Sequence, residues 1–177
     1  MRTGPLLLLA LLATPSGAQT RHNSNAPIDF GADHIELQDK ANRTVLSGNV
    51  SVRQAEMTLT AGRMTVATTG QVLDGHPQVS RLDAAGGVTV TRPDQSARGQ
   101  YAIYDLNRRV ITMLGAVRLT QAGNTVNGGR LTINLDTGRA VIDGSSVPSG
   151  GGASGEPGGT TTTPSGRVTG TFSVPKR

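Results

Sequence analysis

The residues of this chain that could carry acid–base or metal chemistry are few and lie far apart. The three histidines are His22, His34 and His76, and cysteine is absent. Asp74 stands next but one to His76, but an Asp-x-His beside glycine and proline is more typical of a turn than of a site. No serine nucleophile motif, glycine-rich phosphate loop or metal-spaced histidine set accompanies it. The sequence therefore predicts a protein that is not an enzyme and that needs no metal or cofactor.

Carboxylate pairs and arginines give no stronger signal. The pairs Asp33/Glu36 and Asp136/Asp143 are most simply strand-end and turn residues, although a fold can bring distant carboxylates together. The net charge of +5 comes mainly from arginines scattered singly along the chain, without the stacking aromatics of a nucleic-acid module. We expect no nucleic-acid partner. A weaker alternative is that some arginines lie near an anionic ligand or an anionic membrane surface.

An internal repeat organises the chain. Residues 48–65 and 115–132 share eight identical residues when they are aligned without a gap. A glycine that opens an alternating apolar run recurs at Gly48, Gly86 and Gly115, at steps of 38 and 29 residues. Such self-similarity is typical of stacked repeats.

The repeated unit has the alternation of a half-buried strand. Ile35 and Leu37 alternate with polar neighbours, and valines alternate in the same way after Gly48-Asn49, a pair that predicts a two-residue turn. Gly62 predicts a bulge or corner. The chain has 24 glycines, two Phe, two Tyr and no Trp. We therefore expect an all-β fold of short antiparallel strands, with no helix longer than about two turns in residues 28–143.

Equivalent positions of the repeat are apolar, so we expect them to face one shared interior. These positions are Ile35, Leu37, Val50, Val52, Leu59, Met64, Val66, Val88, Val90, Tyr104, Val117, Leu119, Leu131 and Ile133.

The ends of the chain differ from its centre. Residues 1–18 combine a basic start, a short apolar run and small residues before Gln19, which predicts a secretory signal peptide cleaved near Ala18. That run is shorter than the roughly 20 residues that cross a bilayer. We expect residues 21–27 to be loose, order to begin at Ile28, and the repeat domain to span 28–144. Residues 145–166 are a linker rich in Gly, Ser, Thr and Pro, and residues 167–177 hold a possible last strand.

The chain resembles the LptA/OstA family of periplasmic lipopolysaccharide transport proteins. The resemblance runs from about residue 28 to 143 and depends on the order and spacing of several short motifs. They occupy residues 28–37, 46–52, 61–66 and 114–117, with a further similarity in the tail at 166–175.

The resemblance implies an open antiparallel β-jelly roll in the periplasm, whose interior residues bind the acyl chains of lipopolysaccharide. It also implies end-to-end strand addition to LptC-like and LptD-like jelly-roll domains and head-to-tail self-association, for which residues 28–37 and 168–174 are the complementary edges. Two alternatives stay open: an exported structural or adhesive β-repeat protein without lipid cargo, and an exported enzyme.

Overall fold

Antiparallel strands make up almost all of this computed structural model, which describes residues 22–70, 78–144 and the backbone of 169–171. The strands are β1 (Ile28–Gly31), β2 (His34–Gln38), β3 (Arg43–Gln54), β4 (Met57–Thr69), β5 (Gln78–Thr91), β6 (Gln95–Asp105), β7 (Val110–Gln121), β8 (Asn124–Asn134), β9 (Ala140–Asp143) and β10 (Thr169–Thr171). Between β2 and β3 the chain forms a short 3-10 helix, Asp39–Ala41. The all-β expectation is confirmed.

The strands form one sheet whose order follows the sequence. From β3 to β8 each strand pairs with the next, as in a series of hairpins. At the start of the sheet, β1 and β2 pair with the two halves of β3, and at its end β10 and β9 pair with the two halves of β8. The path does not close on itself. We call β1 and β2 the first edge, and β9 and β10 the last edge.

Alternation of side chains decides which face of the sheet becomes the interior. In β3, for example, Val50 and Val52 are buried while Asn49 and Arg53 are exposed. Because successive side chains of a strand point to opposite faces, one apolar set along each strand suffices to form a common core. The β-branched valines and threonines that fill these strands also favour extended backbone.

The Gly48-Asn49 pair does not form the predicted turn. Both residues have positive φ, at 75° and 46°, but β3 continues through them, and its register with β4 shifts between Ser47 and Val50. The pair is a β-bulge. A left-handed residue pair suits a hairpin turn and a bulge alike, and here the strand on both sides of it pairs with β4.

The same kind of β-bulge recurs in β5 and β7, at Gly86-Gly87 and Gly115-Ala116. The bulges align across the sheet, and Gly62 of β4 lies beside them. A Cβ on Gly62 would come within 3.1 Å of the Gly86 carbonyl oxygen, so a side chain there would require the neighbouring backbone to shift. The repeat thus bends the sheet along one line of glycines, and the interior lies on one side of that bend.

The tail pairs within its own chain. Residues Thr169–Thr171 lie antiparallel to Thr125–Asn127 of β8. The predicted signal peptide, the linker at 145–166, and Asp74 and His76 fall outside the described residues.

Candidate functional site

The predicted interior positions are the natural candidate for a binding site, since they form most of the core. Twelve of the fourteen are buried, with at most 8% of the residue exposed. They belong to a single cluster of contacting apolar side chains. Ile35 and Leu37 differ, because they are 42% and 56% exposed.

Strand register arranges the interior in rows that cross the sheet. Met64 lies opposite Ala84, Ala84 opposite Ala102, and Ala102 opposite Met113, which in turn pairs with Leu131. Directly opposed residues of an antiparallel pair share a face. The row therefore forms a continuous apolar strip from β4 to β8.

A second row runs parallel to the first, through Val66, Leu82, Tyr104, Ile111 and Ile133. The sequence prediction missed several buried members of these rows and their neighbours. The buried apolar residues outside the fourteen predicted positions are Val45, Leu46, Met57, Ala61, Leu82, Ala84, Ala97, Ala102, Ile111, Met113 and Leu135. Their own alternation was a usable signal, since Ile111 and Met113 flank a threonine just as the predicted residues do.

At the first edge, the same inward face is open to solvent. Ile35 lies opposite Leu46, and Phe30 lies opposite Val52. Leu46 and Val52 are buried, whereas Phe30 is 46% exposed. The strip of apolar side chains therefore continues outward from the core onto an accessible edge, on the face that the core occupies.

Strand β9 of the last edge is better covered. Ala140 and Ile142 of β9 are partly buried and pack against the core cluster. Ile142 pairs with Leu131 in the register, so it extends the first row by one strand. The inward-facing side chains of β9 are thus less exposed than Phe30, Ile35 and Leu37 of the first edge.

One end of the interior is closed by residues 22–26, which we call the N-terminal arm. The buried amide of Gln54 holds this arm, since its Nε2 donates to the carbonyl oxygens of Ser24 at 2.9 Å and Ala26 at 3.1 Å. The expectation that residues 21–27 are loose is therefore wrong for residues 22–26. A buried amide needs hydrogen-bond partners. The backbone carbonyl groups of this polar segment supply them, although its sequence has no strand or helix periodicity.

Two further side chains meet the same amide. The hydroxyl of Tyr104 donates to Gln54 Oε1 at 2.7 Å, and Nε2 of His22 lies 3.2 Å from the same oxygen. Because Oε1 is only an acceptor, His22 donates through Nε2. The Gln54 amide is thus satisfied by groups from two distant parts of the chain, the N-terminal arm and β6.

Burial shifts the acidity of both donors. Loss of solvation raises the pKa of Tyr104 to about 12. Burial also lowers the pKa of His22, and the opposing effect of its hydrogen bond to Gln54 is smaller. Both groups are therefore neutral at pH 7, as a largely apolar interior requires.

The arm is also fastened from the side by Arg109. Its Nη2 donates to Asn25 Oδ1 at 2.9 Å, while its Nη1 lies 3.2 Å from Asp136 Oδ1. Beside the arm, a recess of about 200 Å³ is lined in part by His22, Glu56 and Arg92.

The described residues contain no group of three or more His, Cys, Asp or Glu side chains placed to hold a metal ion. Three of the four candidate carboxylates instead bond to other side chains. Asp33 accepts a hydrogen bond from Asn49 Nδ2 at 2.9 Å, and Asp136 pairs with Arg109. No helix within the described ranges is long and apolar enough to cross a membrane.

Taken together, the bent sheet, its apolar interior and its two unpaired edges define an open antiparallel β-jelly roll. A solved structure has the same fold. It is LptH, the LptA homologous periplasmic component of the lipopolysaccharide transport device from Pseudomonas aeruginosa. The two superpose with a TM-score of 0.68 at 19% identity, over 86% of this chain and 99% of that one.

Sequence comparison then identifies the family. Residues 30–139 match the family described as LptA/(LptD N-terminal domain) LPS transport protein. An uncharacterized protein of Rhizobium meliloti (strain 1021) is 34% identical over 136 residues, which cover 74% of this chain and 73% of that protein. The chain belongs to the LptA/(LptD N-terminal domain) family of LPS transport proteins, as its sequence motifs indicated.

Proposed function

We propose that this protein is a periplasmic lipopolysaccharide-binding bridge component that carries lipopolysaccharide from the inner to the outer membrane through its apolar interior. Membership of an LPS transport family supports the general role. The observation that carries the proposal further is the exposed inward face of the first edge. Phe30, Ile35 and Leu37 extend the core strip into solvent, where an acyl chain can reach them.

Such binding is favourable without specific polar contacts to the lipid. Each methylene removed from water contributes about 0.8 kcal/mol, so a lipid with several acyl chains binds strongly to an apolar strip. The interior is filled by its own side chains. Acyl chains that enter must replace contacts between side chains, and the net gain is then mainly the desolvation of the lipid itself.

The first edge is also a place where the roll can part easily. β1 and β2 have four and five residues, and each pairs with only half of β3. Short strands with few ladder hydrogen bonds open at low cost. An acyl chain that first contacts Ile35 then has a continuous apolar path towards Leu46 and Met64. Directional movement requires an energy source elsewhere, since no nucleotide-binding motif is present in the sequence.

For assembly, we propose strand addition at the two edges, to LptC-like and LptD-like jelly-roll domains and to further copies of this chain. Each edge strand has one side paired to the sheet and the other side without a ladder partner among the described strands. An unpaired strand edge is a template for another chain. Because opposite ends of the sheet would meet, the contact is head-to-tail and does not close.

The pairing of β10 with β8 refines this proposal. The tail is not a free strand in the described structure, since one side of it already belongs to the sheet. The joint would therefore use the outer side of β10, together with β9, against the first edge of the next protomer. Export by the predicted signal peptide would place the mature chain, from about Gln19, in the periplasm.

One observation favours the alternative of a structural β-repeat protein without cargo. The interior is closed by close contacts and by the N-terminal arm, as expected of a core that serves only its own fold. The two functions differ in what the purified protein contains. A carrier takes up lipid from its surroundings, whereas a structural repeat does not.

The experiment is mass analysis of lipid that co-purifies with the mature protein from a bacterium that makes lipopolysaccharide. We expect lipid A species in the native preparation. A double variant, Ile35→Asp and Leu37→Asp, should lose them while keeping the β spectrum of the parent by circular dichroism. Its matched control is His34→Asp and Glu36→Asp on the outward face of the same strand. Absence of lipid from the parent protein, or equal lipid in both double variants, would favour the structural alternative.

A further inference from the structure

The outward face of strands β4 to β8 carries an excess of positive charge. Its five arginines are Arg63, Arg81, Arg98, Arg118 and Arg130, and its two carboxylates are Asp83 and Asp105. Arg81 pairs with Asp83 at 2.6 Å, and Asp105 accepts a hydrogen bond from the backbone N–H of Arg108. Within the described part of the chain, the other four arginines have no carboxylate at ion-pair distance.

Two of these arginines lie directly opposite each other. Arg98 of β6 pairs with Arg118 of β7 in the register, and both are exposed. Directly opposed residues bring their Cβ atoms to within about 5 Å, and like charges at that separation repel. Arg118 Nε donates to Asn127 Oδ1 at 3.1 Å, which orients its guanidinium without neutralising it. An anion between the two guanidinium groups would relieve the repulsion, and phosphate oxygens match their donor geometry.

An aromatic side chain stands on the same face, three residues from Arg98. Tyr101 is 54% exposed and lies opposite Leu114. Tyr101 and Leu114, together with Arg63 and Ile103, line a recess of about 320 Å³ on the outside of the roll. Tyrosine combines an apolar ring with a polar tip, which suits the boundary between lipid headgroups and acyl chains.

We propose that this basic face docks on an anionic membrane surface, with Arg98 and Arg118 binding lipid phosphate groups and with Tyr101 and Leu114 contacting the headgroup boundary. The charge is complementary to anionic lipids, and five strands give a face roughly 19 Å wide, enough to span several headgroups. A nucleic acid is disfavoured because one exposed tyrosine does not make a stacking platform. The face lies on the opposite side of the sheet from the interior, so the proposal is independent of lipid cargo.

The test measures binding of the full mature chain to phospholipid vesicles by flotation. Vesicles of phosphatidylcholine with phosphatidylglycerol are compared with pure phosphatidylcholine, at low salt and at roughly 1 M salt, where charges are screened beyond about 3 Å. The variant is Arg98→Glu with Arg118→Glu. The matched control is Arg108→Glu with Arg139→Glu, which changes the net charge equally at exposed loop positions. Thermal melting checks that both variants are folded.

At low salt we expect the parent protein to bind only the anionic vesicles. The Arg98/Arg118 variant should bind these vesicles at least about tenfold more weakly. The loop control should keep most of the binding, and Tyr101→Ser should weaken it. Equal binding to neutral vesicles, or no binding to either kind, would overturn the proposal. An equal loss in the face variant and in the loop control would also overturn it, because net charge rather than this face would then be responsible. The amount of lipid that co-purifies with the Arg98/Arg118 variant shows separately whether the interior still binds lipid.

Discussion

Gln54 and Tyr104 are polar side chains buried in a largely apolar interior, and they lie 50 residues apart in sequence. Their hydrogen bond joins the end of β3 to the end of β6, and through Gln54 it also reaches the N-terminal arm. Buried polar groups destabilise a fold when they lack partners and specify its arrangement when they are satisfied. The cluster therefore fixes which end of the roll the arm closes.

The first prediction concerns Tyr104. Tyr104→Phe should lower the free energy of unfolding at pH 7 by about 1 kcal/mol, since Gln54 Oε1 keeps its contact with His22. The pKa of Tyr104 is raised to about 12, from an ordinary value of about 10. Its contribution is therefore complete below pH 10 and is lost as the pH rises through 12. Urea unfolding at pH 7, 10 and 11 measures both effects.

The exposed Tyr101 provides the control for this substitution. Tyr101→Phe should change the free energy of unfolding by less than about 0.5 kcal/mol. If Tyr104→Phe loses stability between pH 10 and 11 as steeply as the parent protein does, ionisation of Tyr104 is not coupled to unfolding.

The second prediction concerns His22. Because burial lowers its pKa below the ordinary value of about 6.5, the detached arm binds a proton more readily than the docked arm. Docking is therefore strongest above pH 6.5 and weakens as the pH falls through that value. Hydrogen exchange of residues 22–26 should be faster at pH 5.5 than at pH 7.5 after correction for intrinsic rates. His22→Gln should remove this difference, and His34→Gln should retain it; the reverse pattern would contradict the assignment.

At the scale of elements, the strands of the repeat are built around glycines that let neighbouring backbones approach. Gly128 of β8 is the tightest case at the last edge. A Cβ there would collide with the side chain of Ile142 and come within 2.9 Å of the Asp143 carbonyl oxygen. The glycine is thus required for β9 to lie where it does.

The third prediction follows from this contact. Gly128→Ala should displace β9 and lower the free energy of unfolding by about 1–3 kcal/mol, with faster hydrogen exchange in residues 140–143. Gly31→Ala is the matched control, because a Cβ at Gly31 meets nothing within 4 Å. Equal stability of the two variants would mean that β9 is not held at this position.

The sequence predicted the elements well where the signal was local. Alternation identified the strands, and the repeat aligned residues such as Met64 and Leu131 in one row. The sequence pattern did not distinguish a turn from a bulge at Gly48-Asn49, because both structures use left-handed backbone conformations. The N-terminal arm was missed for a different reason: its contact with Gln54 depends on how the sheet bends, which no local pattern encodes.

Across the whole molecule, the sheet formed by the described strands has two ends that do not pair with each other. The first of these ends exposes apolar side chains of the inward face. Four arginines of the outward face have no carboxylate at ion-pair distance within the described residues. The proposals therefore place cargo on the inward face, assembly at the edge strands and membrane docking on the outward face of one roll.

The fourth prediction tests assembly. Deleting residues 148–177 removes β10 and exposes the half of β8 that it pairs with. If the tail forms part of the head-to-tail joint, analytical ultracentrifugation should detect concentration-dependent species in the mature protein that the truncated protein lacks. Identical size distributions for the two proteins would show that the joint forms elsewhere, at β9 or at the exposed half of β8.

Lipopolysaccharide binding on the inward face of the roll can be tested by site-specific photo-crosslinking. A crosslinker is placed at Leu37 or Ile133, which lie on the inward face, or at their outward neighbours Glu36 and Thr132. The account predicts capture of lipopolysaccharide at Leu37 and Ile133 and little at the two neighbours. Capture at Ile133 would further require the buried core to open. Equal capture at inward and outward positions, or none at any of them, would contradict it.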